Sequence, residues 1–394
     1  MPQPPDLIYD PYDYALDANP HPVWRRLRDE APCYRNDRYD FWALSRFADV
    51  LGASLDHETF RSGRGTVLEL IDKLNEPTPM IFKDPPEHTR LRKLVSRAFS
   101  PRRIAELEER VRDIARSYLE PRVGSGGFDY VADFGARLPV MVISSMLGIP
   151  EEDREQIRLW TDATLHREPG ETLPEPGVMR DLFGYLARYV GERRKAPRDD
   201  MMSDLLEAEI QEPDGATRRL TDVEILTFIS LLSAAGNETV ARLLGWAAAT
   251  LADCPDERRK LVERPGLIPG AVEELLRYEA PSPVQARTLS RPLVLHDVAI
   301  PASAVVLLVT GSAGRDEREY PDPDRFDVER PIDRHVSLGF GIHFCLGASL
   351  ARLEGRVALE ETLARFPEWE VDLANAEMVH TSTVRGWERM PIRF

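Results

Sequence analysis

The chain has 394 residues, and 67 Asp and Glu against 51 Lys and Arg give it a formal net charge of −16 at neutral pH. That excess of negative charge argues against nucleic acid as a partner. The first twenty residues are acidic and proline-rich, and the longest apolar runs are too short for a bilayer, so we expect no signal peptide and no membrane insertion. Three cysteines cannot form a disulfide framework, which favours a reducing, cytoplasmic location.

No linker, repeat or low-complexity tract divides the chain, so we expect residues 1–394 to form a single domain. The first segment predicts a helix over 20–31, two strands over 32–46 and a second helix over 48–56. Residues 60–83 show no clear period and predict a loop region. Further helices are expected over 84–100, 102–121, 137–148, 151–166, 178–195 and 200–210, with a breaker-rich loop over 166–178 that is typical of a lid.

A long helix is predicted to follow. Thr221 and Glu224 have the spacing of a capping box, and no breaker interrupts the chain from there to about Asp253. About thirty residues at 1.5 Å each give roughly 45 Å, enough to cross the molecule. Gly236 lies in its middle, where glycine costs about 1 kcal/mol relative to alanine, so we expect a function or a kink there.

The segment after this helix predicts sheet. Residues 282–310 alternate and are rich in β-branched side chains, with turns predicted near 296–297 and 301. The C-terminal residues 381–394 predict a strand, a turn and a strand.

Cys345 stands out within residues 335–350, HVSLGFGIHFCLGASL. Glycines at 339, 341 and 347 permit tight turns and close approach to a flat ligand, and the leucines after the cysteine predict a helix. A helix N-terminus favours the thiolate. A buried hydrophobic thiol, a zinc ligand and a nucleophile with His343 as its base are the alternatives, and an axial thiolate to haem iron fits a lone cysteine best.

The spacing around this cysteine resembles the haem-ligand loop of the cytochromes P-450, Phe-x-x-Gly-x-His-x-Cys-x-Gly. Gly341, His343, Cys345 and Gly347 match it, and Leu338 stands where the family usually has phenylalanine. The resemblance implies a mainly α fold with a small β region, in which a triangular prism of helices encloses a buried haem b. It makes Cys345 the metal ligand.

Four residues are implied to bind the haem propionates. His88 and Arg92 lie four apart, on one face of the helix predicted over 84–100, and resemble the clamp of the family. Arg287 and His343 fall where the family has two further propionate ligands. A solvated basic face is the simpler interpretation for Arg90, Lys93 and Arg97.

The middle of the long helix resembles the family motif Ala-Gly-x-Asp/Glu-Thr at Gly236, Glu238 and Thr239. The resemblance implies that Thr239 handles dioxygen and that Glu238 relays protons from solvent. Thr239, Glu238 and Gly236 are therefore the candidate catalytic residues.

A second motif is expected to be structural. Glu274 and Arg277 resemble the Glu-x-x-Arg motif, whose third partner is implied to be Arg325, and we assign the three to the core and to haem retention. Gly314 departs from the commoner Ala-x-Arg-Asp text without an evident reason in the sequence.

The resemblance implies a monooxygenase that hydroxylates or epoxidises a lipophilic small molecule with O2. The chain ends about fifty residues after Cys345, so we expect electrons from a separate ferredoxin and ferredoxin reductase. Segment 83–103 carries seven basic residues against two acidic ones, and we expect the ferredoxin to dock there, at Arg90, Lys93 and Arg97. A haem-thiolate peroxygenase or isomerase, and a non-catalytic haem-binding sensor, are the alternatives.

Overall fold

A computed structural model gives the structure of the protein and describes residues 3–74, 78–96, 98–165, 176–212, 215–379 and 383–394. The helices of this part are α1 Tyr14–Ala18, α2 His21–Glu30, α3 Phe47–Leu55, α4 Glu87–Val95, α5 Pro101–Ala105, α6 Glu108–Leu119, α7 Arg137–Met146, α8 Glu151–Leu165, α9 Pro176–Lys195, α10 Met201–Glu207, α11 Asp222–Asp253, α12 Pro255–Glu263, α13 Ile268–Tyr278, α14 Thr310–Ala313 and α15 Ala348–Arg365. Short helical turns lie between them at Leu68–Leu70, Met80–Phe82, Glu120–Arg122, Val131–Gly135, Pro265–Leu267, Gly341–His343 and Leu373–Asn375.

The strands are short and are distributed along the chain between the helices. They are β1 Cys33–Asn36, β2 Phe41–Leu44, β3 Phe60–Arg61, β4 Gly127–Asp129, β5 Glu209–Gln211, β6 Thr217–Arg219, β7 Gln285–Leu289, β8 Leu293–Leu295, β9 Val298–Ile300, β10 Val305–Leu308, β11 Glu370–Val371, β12 Glu377–Met378, β13 Trp387–Arg389 and β14 Pro391–Arg393. The largest sheet has the order β1-β2-β10-β7-β3, with β10 parallel to β2 and antiparallel to β7. The fold is thus mainly α with a small β region, as the sequence predicted.

Helix α11 forms the centre of the core. Its capping box is present, because Thr221 Oγ1 accepts from Glu224 N at 3.2 Å and the Glu224 carboxylate accepts from Thr221 N at 2.8 Å. It runs for 32 residues, or about 48 Å. A Cβ added to Gly355 of α15 would lie 3.4 Å from Leu243 Cδ2, so α15 packs directly on α11.

Most element predictions from the sequence are confirmed, and three are wrong. The helix predicted over 102–121 is broken into α5 and α6 around residues 106–107. The helix predicted over 200–210 ends at Glu207, and β5 follows at once to pair with β6. The predicted C-terminal strands exist, but only Met390 separates β13 from β14, and the two belong to different sheets.

The hairpin of β8 and β9 confirms the predicted turn at His296 and Asp297. Both residues have positive φ, 51° and 62°, as a tight two-residue hairpin turn requires. Most of the breaker-rich stretch over 166–178 lies outside the described residues. In the part of the chain that is described, no helix combines the length and apolar character needed to cross a bilayer.

The Glu-x-x-Arg pair is buried, but its third partner differs from the prediction. Arg277 donates to both carboxylate oxygens of Glu274, at 2.6 and 2.7 Å. Arg330, not Arg325, adds the second guanidinium at 3.2 Å, while the Arg325 side chain is 63% exposed and faces Asp327. The prediction of Arg325 is wrong because that residue supplies only its backbone carbonyl, which accepts from Arg277 and Arg330.

Candidate functional site

The loop that carries Cys345 is held in place by a backbone hydrogen bond and by a close contact at one glycine. Cys345 N donates to Leu338 O at 2.8 Å, which closes the loop ahead of α15. Gly341 has φ +66°, and a Cβ there would lie 2.6 Å from Ser54 O, so only glycine fits. Gly347 is different, because a Cβ there would meet nothing within 4 Å. Packing within the chain therefore does not explain the glycine at 347.

The thiol of Cys345 lies between opposing electrostatic influences. Burial raises its pKa, while the Gly347 N–H and the guanidinium groups of Arg92 and Arg352 lower it. Arg352 is fixed by a two-point contact to Glu273, at 2.6 and 2.9 Å. The surroundings therefore supply positive charge for a thiolate that a metal would stabilise further.

The four predicted propionate residues come together beside this loop. The imidazole rings of His88 and His343 have centroids 4.2 Å apart. Arg92, one turn after His88 on α4, donates to the backbone carbonyl of Phe344, the residue before the cysteine. Arg287 on β7 is buried and donates to the Ala286 carbonyl. Residues from α4, β7 and the cysteine loop thus form one cluster of donors.

The pKa values of the two histidines and of Arg287 are lowered because these basic groups are buried close to one another. Burial, followed by the charges of Arg287, His88 and Arg92, lowers the pKa of His343 to about 2. Burial and then Arg92 lower the pKa of His88 to about 4. Burial lowers the pKa of Arg287 to about 10, with only Asp84 opposing it. Buried basic groups this close together disfavour one another's charged forms, and a bound anion would stabilise those charged forms.

Three residues of this cluster were missed by the sequence reasoning. Ser62 is fully buried, and its Oγ lies 3.1 Å from His343 Nε2. Asp84 accepts from the backbone N–H groups of Ser62 and Gly63, at 2.9 and 3.1 Å, and so holds that segment against α4. The charge of His57 contributes to the lowered pKa values of His88 and His343. No sequence pattern marks Ser62 or His57, because both reach the site only through tertiary packing.

The candidate catalytic residues lie on a continuous stretch of α11. Thr239 Oγ1 donates to Ala235 O at 2.8 Å, which leaves the hydroxyl oxygen free to accept. Glu238 pairs with Arg242 one turn later, at 3.5 Å. A Cβ on Gly236 would lie 2.3 Å from Ile143 Cδ1, so this glycine lets α7 approach α11 closely.

Comparisons with known proteins agree with this geometry. A family model described as cytochrome P450 matches residues 267–384. A protein named putative cytochrome P450 123, from Mycobacterium tuberculosis, is 43% identical over 98% of this chain and 97% of its own length. The chain belongs to the cytochrome P450 family. Vitamin D(3) 25-hydroxylase of Pseudonocardia autotrophica is 39% identical over 98% of the chain and 96% of that protein.

A solved structure extends the likeness to three dimensions. The polyketide synthase cytochrome P450 PksS of Bacillus subtilis superposes with a TM-score of 0.89 at 33% identity, and covers 98% of this chain and 99% of its own. The protein is thus a haem monooxygenase of the cytochrome P450 fold, and the family binds its haem through a cysteine thiolate.

The residues present fit a haem. His88 Nδ1 is buried without a hydrogen-bond partner, beside Arg92, as expected if a carboxylate that accepts from it binds there. The cluster of cationic and imidazole donors suits two propionates, and the thiol of Cys345 suits the iron. The open space at Gly347 lets a flat ring lie against the backbone.

The basic segment of this P450 is less charged in three dimensions than in sequence. Arg90 pairs with Glu212 at 2.8 Å, Arg103 with Asp204 at 2.6 Å, and Lys83 with Glu87 at 2.9 Å. Lys93 is exposed on α4. Arg97 lies outside the described residues.

Proposed function

We propose that the protein is a haem b monooxygenase that hydroxylates or epoxidises a lipophilic small molecule, with Cys345 as the axial iron ligand. The observation that carries this assignment is the convergence of His88, Arg92, Arg287 and His343 beside the cysteine loop. Cys33 is buried in β1 near Asp49, and Cys254 follows α11 near Asp253 and Glu257, so the charged neighbours given for these two thiols are acidic, whereas those of Cys345 are basic. We also propose that residues 1–394 act as one domain.

Each side chain has a defined part in holding the cofactor. His88, Arg92, Arg287 and His343 would bind the two propionates, with Ser62 orienting the His343 ring through Nε2. The Gly347 N–H, Arg92 and Arg352 would stabilise negative charge on the Cys345 sulfur. Haem, when bound, supplies the reductive chemistry in which RH, O2, two electrons and two protons give ROH and water.

The two protons must be delivered from solvent while bulk water is kept out. Glu238 would pick up a proton at its carboxylate, and Thr239 would accept a hydrogen bond at its hydroxyl oxygen. The Thr239 hydroxyl already donates to Ala235 O, so its oxygen is oriented as an acceptor. Gly236 would hold α11 close to α7 at this point.

The substrate class is supported by the relatives. One is named a vitamin D(3) hydroxylase and another a P450 of polyketide biosynthesis, and both names denote large, mainly apolar molecules. We therefore propose a lipophilic substrate of secondary metabolism. A shift in the spin state of the ferric haem, followed while a library of such compounds is screened, would identify binders.

We further propose that a separate ferredoxin delivers the electrons and docks on the face that carries Arg90, Lys93 and Arg97. Since Arg90 is already paired with Glu212, Lys93 should dominate among the described cations of this face. Reduction by ferredoxin should slow with added salt and on Lys93→Glu, but not on Lys195→Glu at the end of α9.

Incorporation of isotopically labelled oxygen tests the assignment. The reconstituted enzyme should place one atom of labelled O2 in the product and none from labelled water. A haem-thiolate peroxygenase would instead form product from hydrogen peroxide but none from O2 and NADPH with the electron donors present. A haem-binding sensor would show no turnover with any electron donor. Either result would refute the monooxygenase assignment for this chain.

A further inference from the structure

The proposed relay acid has a charged partner on its own helix. Glu238 and Arg242 are one turn apart on α11, and Arg242 Nη2 lies 3.5 Å from Glu238 Oε1. Both side chains are largely shielded from solvent, with exposed fractions of 9% for Glu238 and 11% for Arg242. This pair is therefore unlike the solvated i, i+4 pairs of surface helices, such as Arg188 and Glu192 on α9 with exposed fractions above 60%.

Arg242 is itself anchored at two further points. Its Nη1 donates to the backbone carbonyl of Trp387, the first residue of β13. A Cβ on Gly386 would lie 2.8 Å from Arg242 Cβ and 3.0 Å from its Cδ, so the chain before β13 lies directly on the arginine stem. Trp246 on the same helix donates to Arg385 O at 2.9 Å. The Arg242 guanidinium is thus fixed by residues 386 and 387 at the start of β13, and its Nη2 faces Glu238.

A carboxyl group at this depth needs such a partner to stay ionised. Glu354 on α15 shows the alternative, because burial without a charged partner raises its pKa to about 8. An arginine within 4 Å favours the carboxylate form and restricts its rotamers. Removing it would take away the ion pair that Glu238 makes on its own helix and the orientation that this pair gives to the carboxylate.

We propose that Arg242 is a positioning residue for proton delivery, which holds the Glu238 carboxylate ionised and oriented through its anchor on Trp387. This proposal rests on the proposed relay function of Glu238. Lysine cannot replace Arg242 fully, because a single ammonium cannot contact Trp387 O and the carboxylate with the same planar geometry. The start of β13 therefore supports the reaction through the Arg242 side chain of α11.

The test uses the haem-loaded enzyme with its electron donors and compares Arg242→Gln, Arg242→Lys, Glu238→Gln and the double variant. Arg389→Gln is the matched control, since Arg389 lies on the same β13 strand, is 52% exposed and pairs with Asp129 and Glu377. Measured are product formed per NADPH, the solvent isotope effect on turnover, and product formed from hydrogen peroxide (RH and H2O2 give ROH and H2O), which needs no protons from the relay. The infrared band of a protonated carboxylic acid, referenced to Glu238→Gln, reports on Glu238 without turnover.

We expect Arg242→Gln to lower product per NADPH about tenfold and to enlarge the solvent isotope effect, with peroxide-driven product retained. The protonated-acid band should appear in Arg242→Gln, Arg242→Lys should recover part of the coupling, and the double variant should be no worse than Glu238→Gln. If Arg242→Gln behaves as Arg389→Gln while Glu238→Gln is impaired, the proposal is wrong and the relay stands. If Arg242→Gln also loses peroxide-driven product, its part is structural, and the proposal is equally wrong. If Glu238→Gln forms as much product per NADPH as the wild type, the proposed relay function of Glu238 is wrong, and with it the role of Arg242.

Discussion

Arg330 donates from Nε to Glu274 Oε1 at 3.2 Å, and the same oxygen also accepts from Arg277 Nη2 at 2.7 Å. The same guanidinium also donates to the carbonyls of Pro321, Asp322 and Arg325, so it ties the segment after α14 to α13. This buried cluster thus holds the segment that precedes the cysteine loop against α13.

Arg330→Gln should therefore destabilise the protein far more than Arg325→Gln. Loss of Arg330 removes one of the two guanidinium groups that pair with the Glu274 carboxylate, which is only 1% exposed. This should lower the free energy of unfolding by about 3 kcal/mol. Arg325 is largely exposed, so its replacement should change stability by less than about 0.5 kcal/mol. Urea unfolding of both variants measures the difference. Equal effects would show that Arg330 does not complete the cluster.

Gly314 has a steric explanation that the sequence did not provide. A Cβ there would lie 2.3 Å from Arg277 O, a backbone atom that cannot move aside without disturbing the Glu274 cluster. Gly314→Ala should cost about 1–3 kcal/mol of stability by thermal or urea unfolding. Gly191→Ala on α9, where a Cβ meets nothing within 4 Å, is the control and should be neutral or stabilising. A tolerated Gly314→Ala would contradict the close contact.

Glu354 should make the protein less stable as the pH rises. Burial raises its pKa to about 8, above the ordinary value of 4.5, so the folded state holds a proton that the unfolded state releases. The contribution of this proton to the free energy of unfolding is fully present below pH 4.5. It is lost as the pH rises to about 8, and the loss amounts to at most about 5 kcal/mol. Glu354→Gln should flatten the decline in free energy of unfolding over this window, whereas exposed Glu368→Gln should not. Parallel curves for wild type and Glu354→Gln would rule out a buried neutral acid.

Ser62 should contribute to haem retention although no motif includes it. Ser62→Ala removes the hydroxyl next to His343 Nε2, which should weaken haem binding by about 1 kcal/mol, or roughly fivefold. The rate at which haem leaves the protein is measured by its transfer to an apoprotein acceptor. Ser45→Ala is the matched control, because Ser45 is equally buried and its Oγ has no hydrogen-bond partner. If both variants release haem at the same rate, Ser62 does not orient the histidine.

Features set by neighbouring residues could be read from the sequence. The capping box of Thr221 and Glu224, the glycine turns around Cys345 and the hairpin at His296 are local, so composition and spacing determine them. The resemblance to the family then predicted which distant residues meet. The break between α5 and α6 was missed because no glycine or proline marks it, and tertiary packing decides it.

Contacts between distant segments could not be predicted. Arg325 and Arg330 are both arginines in the same loop, and only the folded backbone decides which one faces Glu274. Ser62 reaches His343 from 281 positions away, and Arg242 reaches the Trp387 carbonyl from 145 away. The basic charge of segment 83–103 was overestimated for the same reason, since Glu212 and Asp204 approach it only in three dimensions.

The central claim is that Cys345 binds the haem iron. The reduced protein exposed to carbon monoxide should show the absorption band of thiolate-ligated haem from which the family takes its name. Cys345→Ser should abolish that band, while Cys254→Ser, which changes the cysteine at the end of α11 near Asp253 and Glu257, should retain it. A Cys345→Ser protein that keeps the band, or a wild type that never shows it, would contradict the account.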